Sequence, residues 1–524
     1  MTWAKFRHFT LLWSPIWAQY STWCWITGVS LKESRKFYRG RLTANRVRML
    51  GKDYYYLQDR ETLEKMFKHK AMSSAIEMYA YSQYNVIGIA KQAADTIRAD
   101  NSGPFPQPHP TSNVLPHNRV EALTHSISFR GLTGPGLRPT TRRYMKAVPG
   151  KFEDITTEWT EGADLARFFR EHIGEPALRS ILGPTMFRLN PTFLEDIFEY
   201  DKALPYYTLG LPRFLMRIVM PKAYHVRKNL AEQFKKWYEY AREHADPSLV
   251  DPDGDGDPIW GSEMMRNRQA LLNADGHDED TLAHLDTGLA WASIGNVVLV
   301  TMLSVYHIFH DEQLLRRVRH DVEEYLCNQG QTIHNVSPQQ LAKEVPLLSS
   351  IYAETMRLYI RIYSMYGSPY EDVNLGKWTL PQGEMALVMS YPNHMDASFW
   401  NTRNGKHPVQ TFWADRFMVD PSDPSSGPVN PECRTVWHEQ PSSEQKKPYF
   451  SMEGCQGAWL PYGGGHSMCP GRFFAKSIIV FTSALIVLGY DMEFKGALEF
   501  INTRYGLGIA DLKNPVPFRI RKRQ

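Results

Sequence analysis

Residues 461–476 read PYGGGHSMCPGRFFAK: three consecutive glycines, one cysteine and a Pro-Gly step, leading into the run RFFAKSIIVFTSALIVLG. That run has the apolar density and length of a buried helix starting near residue 472. Cys469 therefore stands just before a helix N-terminus, where unpaired N–H groups and the helix dipole favour an anionic sulfur and lower the thiol pKa. A thiolate is what a metal binds. The glycines at 463–465 and 471 remove side chains on both sides and would let a large flat group approach the backbone. Glycine-rich turns before helices also bind phosphate, but no Gly-Lys-Ser/Thr follows, which disfavours a P-loop. By itself the stretch fits a metal-thiolate loop and a plain turn equally well.

The rest of the 524-residue chain narrows the choice. Its 60 basic and 56 acidic residues are spread along the whole length, with a formal charge of +4, so nothing pulls it toward nucleic acid. Hydrophobic residues at 43% and charged residues at 22% describe a globular body with a core. The five cysteines (24, 327, 433, 455 and 469) are odd in number and contain no CxxC pair. Reducing surroundings fit them better than a disulfide framework. Residues 8–28, HFTLLWSPIWAQYSTWCWITG, are aromatic but interrupted by Pro15 and Gln19. Against the roughly 20 mainly apolar residues of a spanning helix they are marginal, fitting a membrane anchor or an interfacial or simply aromatic-rich leader, and they lack the form of a cleaved signal.

From about residue 45, RVRMLGKDYYYLQD alternates as a hairpin does, and strand-like runs recur at 376–390. Helical periodicity covers 60–98, 160–172, 224–245, 279–309 and 337–363. The expected class is mainly α with small β-sheets, and the Pro-rich stretches 103–116 and 421–448 are surface excursions. One loop, DPDGDGDPIWGSE (251–263), nearly spells a calcium loop, but its twelfth position is Ser262 and Glu263 comes one residue late. The bidentate carboxylate that would close the cage is missing, so a solvated acidic loop is expected.

YGGGHSMCPG resembles the heme-binding signature of the cytochrome P-450 family, Phe-x-x-Gly-x-x-x-Cys-x-Gly, with Tyr462 in the aromatic place and Gly465, Cys469 and Gly471 in register. The family's second mark, Glu-x-x-Arg, is matched by Glu354 and Arg357 in YAETMRLY, and Arg416 in TFWADRF resembles the arginine that completes a buried triad with them. These marks run in family order, with Cys469 112 residues after Arg357. WASIGN upstream and the Cys-Pro-Gly-Arg ending are similar to the branch holding sterol 7α-hydroxylases, prostacyclin synthase and fungal biosynthetic enzymes. The resemblance covers about 41–524 as one heme domain, with 1–40 as an atypical leader. It implies heme b with Cys469 as axial ligand, and a monooxygenase inserting oxygen from O2 into an apolar molecule such as a sterol, terpenoid, fatty acid or polyketide. A thiolate opposite oxygen favours O–O cleavage. The resemblance further implies electrons from NADPH-cytochrome P-450 reductase and a place on the endoplasmic reticulum surface, or in the cytoplasm should the leader not anchor.

The chain departs from the family at proton delivery. Where an acid-alcohol pair is usual, it carries Asn296 and Val297; valine cannot hydrogen-bond, and asparagine donates without titrating. Asp286-Thr287 lies ten residues upstream, about 15 Å along a helix, and is misplaced. Thr301, one turn on, is a candidate substitute, as are Ser293 and a hydroxyl of the substrate. Heme anchoring departs too: Ser467 stands where a basic residue is common, His466 is beside it, and of the Trp-x-x-x-Arg pattern only Arg138, Arg142 and Arg143 remain, without the tryptophan. Either one of these arginines meets a propionate or the three form a solvated basic face. The missing alcohol also keeps open a redox-neutral isomerase or dehydratase acting on a peroxide, as in prostacyclin synthase and allene oxide synthase.

Overall fold

A computed structural model describes residues 44–49, 52–274, 278–434, 447–501 and 506–524; the leader at 1–40 lies outside them. Eight helices bear on the site: α1 (Arg60–Lys68), α2 (Val120–Leu132), α3 (Leu137–Ala147), α4 (Pro221–His244), α5 (Glu279–Ile294), α6 (Val297–His310), α7 (Pro346–Tyr359) and α8 (Arg472–Gly489). α6 is apolar on every side, VVLVTMLSVYHIFH, and is buried from Val297 to Tyr306. A helix hydrophobic all round belongs in a core. α8, just as apolar, packs against it, as does α7. Glu279–His310 and Arg472–Gly489 are long and apolar enough to cross a membrane, yet both are mostly buried inside the fold.

A six-stranded sheet flanks the helices. Its main path is β1 (Ala44–Met49), β2 (Lys52–Leu57), β4 (Met385–Met389), β3 (Ile360–Gly367) and β5 (Leu507–Ile509), with Ser73–Ser74 pairing onto β3. The hairpin β1–β2 is antiparallel, with Arg46 opposite Tyr55. β2 then runs parallel to β4, and β5 closes the edge with Gly508 opposite Arg361. Mainly helical architecture with small sheets is as expected. Three boundaries differ. The helix expected through 363 stops at Tyr359, because IRIYSMYG, rich in β-branched and aromatic residues, pairs as β3. The stretch 60–98 divides into α1, Ile76–Ser82, a π-turn at Gln83–Ile87 and Lys91–Ala99. The stretch 160–172 opens with a short strand, Thr160–Gly162, before its helix.

Between α5 and α6 the long central helix breaks at Gly295–Asn296. The amide of Gly295 still bonds Trp291 O at 2.8 Å, and Val300 N bonds Asn296 O at 3.0 Å, so the chain resumes a helix after one loosened turn. A Cβ at Gly295 would lie 3.0 Å from the Trp291 indole nitrogen, which explains the small residue there.

Candidate active site

Cys469 lies three residues before α8, as its sequence setting implied. Its amide donates to Tyr462 O at 3.0 Å and the amide of Met468 to Gly465 O at 3.3 Å, which folds 462–469 into a closed loop. The glycine run serves this loop's own packing rather than the approach of a flat group. A Cβ at Gly464 would sit 2.4 Å from the ring of Phe67 on α1, and Gly465 has φ +65 against the Phe67 carbonyl. Gly471 is different: a Cβ there would meet only Cys469 Sγ at 3.8 Å and Leu132 Cδ1 at 3.9 Å. Cys469 is exposed, although protein surrounds it on its other sides. Burial pushes its thiol up, with the Gly471 backbone and Arg472 opposing. The expected lowering by the helix end is therefore outweighed in the free thiol, whereas a bound metal cation deprotonates a coordinating thiol outright. An open sulfur with no disulfide, beside a glycine that adds no side chain, fits a heme iron.

Behind the loop, the Tyr462 hydroxyl is 2.9 Å from that of Tyr352 on α7. Glu354 and Arg357, further along α7, and Arg416 are all fully buried. Arg357 Nε donates to Glu354 Oε2 at 2.7 Å and Arg357 Nη2 to Oε1 at 2.9 Å. Arg416 Nε reaches the same carboxylate at 3.0 and 3.1 Å, and the Trp413 amide adds a bond at 3.2 Å. The remaining guanidinium donors go to carbonyls, among them His394 O at 2.6 Å, Val409 O at 2.8 Å and Pro408 O at 3.2 Å. Burial alone would raise Glu354, but Arg357 and Arg416 hold it below the usual carboxylate range.

On the opposite side, Asn296 at the helix break accepts through Oδ1 from the Ile509 amide of β5 at 2.9 Å. Gly508 makes the approach possible, since a Cβ there would fall 2.2 Å from that oxygen. Thr301 is fully buried and donates to Val297 O at 2.7 Å, the back-bond of a packed helix hydroxyl. Ser293 does the same to Leu289 O.

The arginines expected to anchor a propionate are engaged elsewhere. Arg142 Nη1 bonds Asp253 at 3.0 Å, and Arg143 bonds Asp255 at 2.6 Å and Ser180 O at 2.9 Å, while Arg138 is exposed. The acidic loop that imitates a calcium site is thus the counter-charge of α3. Sequence reasoning missed Phe67, Ile509 and His125, whose ring on α2 packs 4.6 Å from that of His466; no local spacing marks them, because each partner is hundreds of residues away.

The family model "Cytochrome P450" matches residues 187–409. Cytochrome P450 monooxygenase efuG of Hormonema carpetanum is 31% identical, with 77% of this chain and 73% of the relative covered. Cholesterol 7-alpha-monooxygenase of Cricetulus griseus is 23% identical over 62% of this chain and 58% of its own. Among solved structures, the retinoic acid-bound cyanobacterial CYP120A1 superposes with a TM-score of 0.60, 15% identity and 94% of each chain covered, which shows the shared fold. The chain belongs to the cytochrome P450 family. It is a heme-thiolate monooxygenase of that family, acting on apolar substrates with O2 and a redox partner.

Proposed function

We propose that Cys469 would hold the iron of heme b in this chain, that Tyr462, Gly465 and Gly471 shape the loop presenting it, and that Glu354, Arg357 and Arg416 brace the protein behind. The observation that carries this reading is the open Cys469 sulfur in a loop closed by its own backbone bonds. The bound heme supplies O2 activation, its thiolate pushing electron density toward iron. The chain's residues exclude water, orient substrate and control protons. Reduced holoenzyme is expected to give the thiolate-type carbon monoxide difference spectrum, and Cys469→Ala to lose it. A variant that kept that spectrum would overturn the assignment.

The substrate is an apolar small molecule of sterol or terpenoid type, in keeping with the cholesterol-named relative, with fatty acids and polyketides in the same class. The electron donor is NADPH-cytochrome P450 reductase. It would dock beside α8, where Arg472 and Lys476 line a cavity of about 210 Å³ with Tyr352, Trp459 and Tyr462. A membrane surface, that of the endoplasmic reticulum, meets helix Arg213–Val219: Phe214 and Ile218 are 71% and 72% exposed beside the exposed Arg217 and Lys222. An apolar face flanked by cations suits an anionic bilayer surface. Phe214→Ser with Ile218→Ser should weaken sedimentation of the protein with anionic vesicles, and unchanged sedimentation would remove this contact.

Asn296 acts by orientation. Its amide oxygen is committed to Ile509, leaving N–H donors that do not titrate. Thr301, its hydroxyl committed to Val297 O, is left with a packing role. These engaged groups favour a second reading, redox-neutral rearrangement of a peroxide, in which no proton relay is needed. Product formed without NADPH would select the second reading. NADPH-dependent product whose coupling to O2 rises in Val297→Thr would select the first.

A further inference from the structure

We propose that Trp459 is a second oxidation site, at which an anionic phenol bound in the cavity beside α8 gives up single electrons to the cofactor held by Cys469. The inference rests on the assignment of Cys469 as ligand.

The route begins at the ligand's own backbone. The Cys469 amide donates to Tyr462 O at 3.0 Å, so the cysteine and the Tyr462 ring are joined through one hydrogen bond and a few covalent bonds. Tyr462 stands where the family's pattern has phenylalanine. Its hydroxyl meets that of Tyr352 at 2.9 Å, and the Trp459 ring lies 5.9 Å from the Tyr462 ring and 6.2 Å from that of Tyr352. Both spacings are those of contacting aromatic pairs. Trp459 is half-buried and lines the cavity of about 210 Å³, so the path ends at solvent.

Of the three rings, only the indole can rest in oxidised form. A phenol loses an electron readily only as its proton passes to a base, and the bonded partner of each tyrosine hydroxyl is the other hydroxyl, which is no base at neutral pH. An indole keeps its hydrogen when it loses an electron, and Trp459 Nε1 donates to Ala353 O at 3.0 Å. The tyrosines therefore bridge, and Trp459 holds the charge.

The cavity fits the donor. Arg472 and Lys476 line it together with the rings of Trp459, Phe450 and Phe473, and among its described lining residues there is no carboxylate. Lys476 Nζ lies over the Phe450 and Tyr352 rings at 5.0 and 5.5 Å, and burial pushes it down to about 8, the mark of a cation short of a counter-charge. A phenolic acid, a flat electron-rich ring with a carboxylate, matches both the rings and the cations. A peroxide is the oxidant: it takes two electrons as its O–O bond breaks, and two phenol molecules return them one at a time through Trp459. ROOH and two ArOH thus give ROH, water and two phenoxyl radicals, the two phenolic protons and one peroxide oxygen making the water.

The test uses ferric holoenzyme with hydrogen peroxide and no reductase, since the reductase is proposed to dock at the same cavity. The probes are vanillate and guaiacol, the same phenol with and without a carboxylate. Freeze-quenched native protein should show an aromatic radical whose electron spin resonance narrows with ring-deuterated tryptophan, and vanillate should quench it. Trp459→Phe should lose that radical and most vanillate oxidation while keeping the thiolate-type carbon monoxide spectrum, and Tyr462→Phe should keep the radical. Lys476→Met should raise KM for vanillate about tenfold, the effect of one bond to a charged group, and leave guaiacol unchanged. A radical insensitive to tryptophan deuteration would overturn the proposal, as would vanillate oxidation that survives in Trp459→Phe or a KM for vanillate that Lys476→Met leaves in place. Should Trp459→Phe lose heme, the deuterium narrowing and the split between vanillate and guaiacol decide. A native protein without the thiolate-type carbon monoxide spectrum would instead break the assignment of Cys469, so the two failures are distinguishable.

Discussion

The cluster around Glu354 and the one around Asp253 and Asp255 both join arginines to carboxylates, and they differ in burial. In the first, a single carboxylate, Glu354, is shared by Arg357 and Arg416 with all three side chains fully buried. In the second, Arg142 of α3 reaches Asp253 with 59% of its side chain exposed, and Arg143 beside it reaches Asp255, which is buried. Water screens the Arg142 pair and leaves it worth about 0–1 kcal/mol. The first gains nothing from water, and removal of one partner strands a buried charge. The number of ion pairs therefore says little; the burial of each decides what depends on it.

The sharpest way to break this comparison is Glu354→Gln, which keeps shape but leaves two buried guanidiniums without a counter-charge. The expected loss is about 3–5 kcal/mol, a large part of a typical stability of about 5–15 kcal/mol. It should appear as a lower urea midpoint and poor heme loading, and a midpoint near native would show that the triad is not what holds α7 to the segment around Arg416. The same group gives a pH signature. Because Glu354 is held below the usual carboxylate range, its contribution is fully present above the unfolded value of about 4.3 and is lost as pH falls through the lower folded value. Native protein should show that acid loss in urea midpoints, and Glu354→Gln should lack this component.

An intermediate effect is expected from Gly464→Ala. The backbone there is extended, with φ −156, so alanine meets no conformational penalty, only the Phe67 ring at 2.4 Å. Overpacking of this kind costs about 1–3 kcal/mol. If space is the cause, Phe67→Leu should recover much of the loss when combined with it, as a double-mutant cycle would measure; a strictly additive pair would reject the contact.

What the sequence made legible follows from distance along the chain. Cys469 with its glycines, and Glu354 with Arg357, are local patterns whose spacing alone sets their geometry, and Arg416 could be added by its order between them. The central helix was legible too, by apolar density, as was the departure at Asn296 and Val297. The partner of Asn296 was not: Ile509 lies 213 residues away on a sheet edge. The partners of Arg142 and Arg143 were not legible for the same reason, because Asp253 and Asp255 sit 111 and 112 residues downstream in a loop expected to be a solvated acidic excursion. The thiol's protonation was misjudged differently. A helix end lowers a thiol pKa by a local field, but burial is set by the whole fold and outweighs it in the free protein.

The smallest effect completes the comparison. Arg142→Ala removes an exposed guanidinium whose partner Asp253 is itself partly exposed, so water can solvate the carboxylate that is left. The expected change in stability is under about 1 kcal/mol, further reduced by salt. Arg143 is the stricter case: its partner Asp255 is buried, and its Nε also holds Ser180 O. Arg143→Ala should therefore cost more than Arg142→Ala and be less sensitive to salt, because part of its bonding is shielded and part is to a neutral carbonyl. Equal, salt-dependent losses for the two would mean that burial at α3 has no bearing on strength, and would undo the contrast drawn with the Glu354 triad.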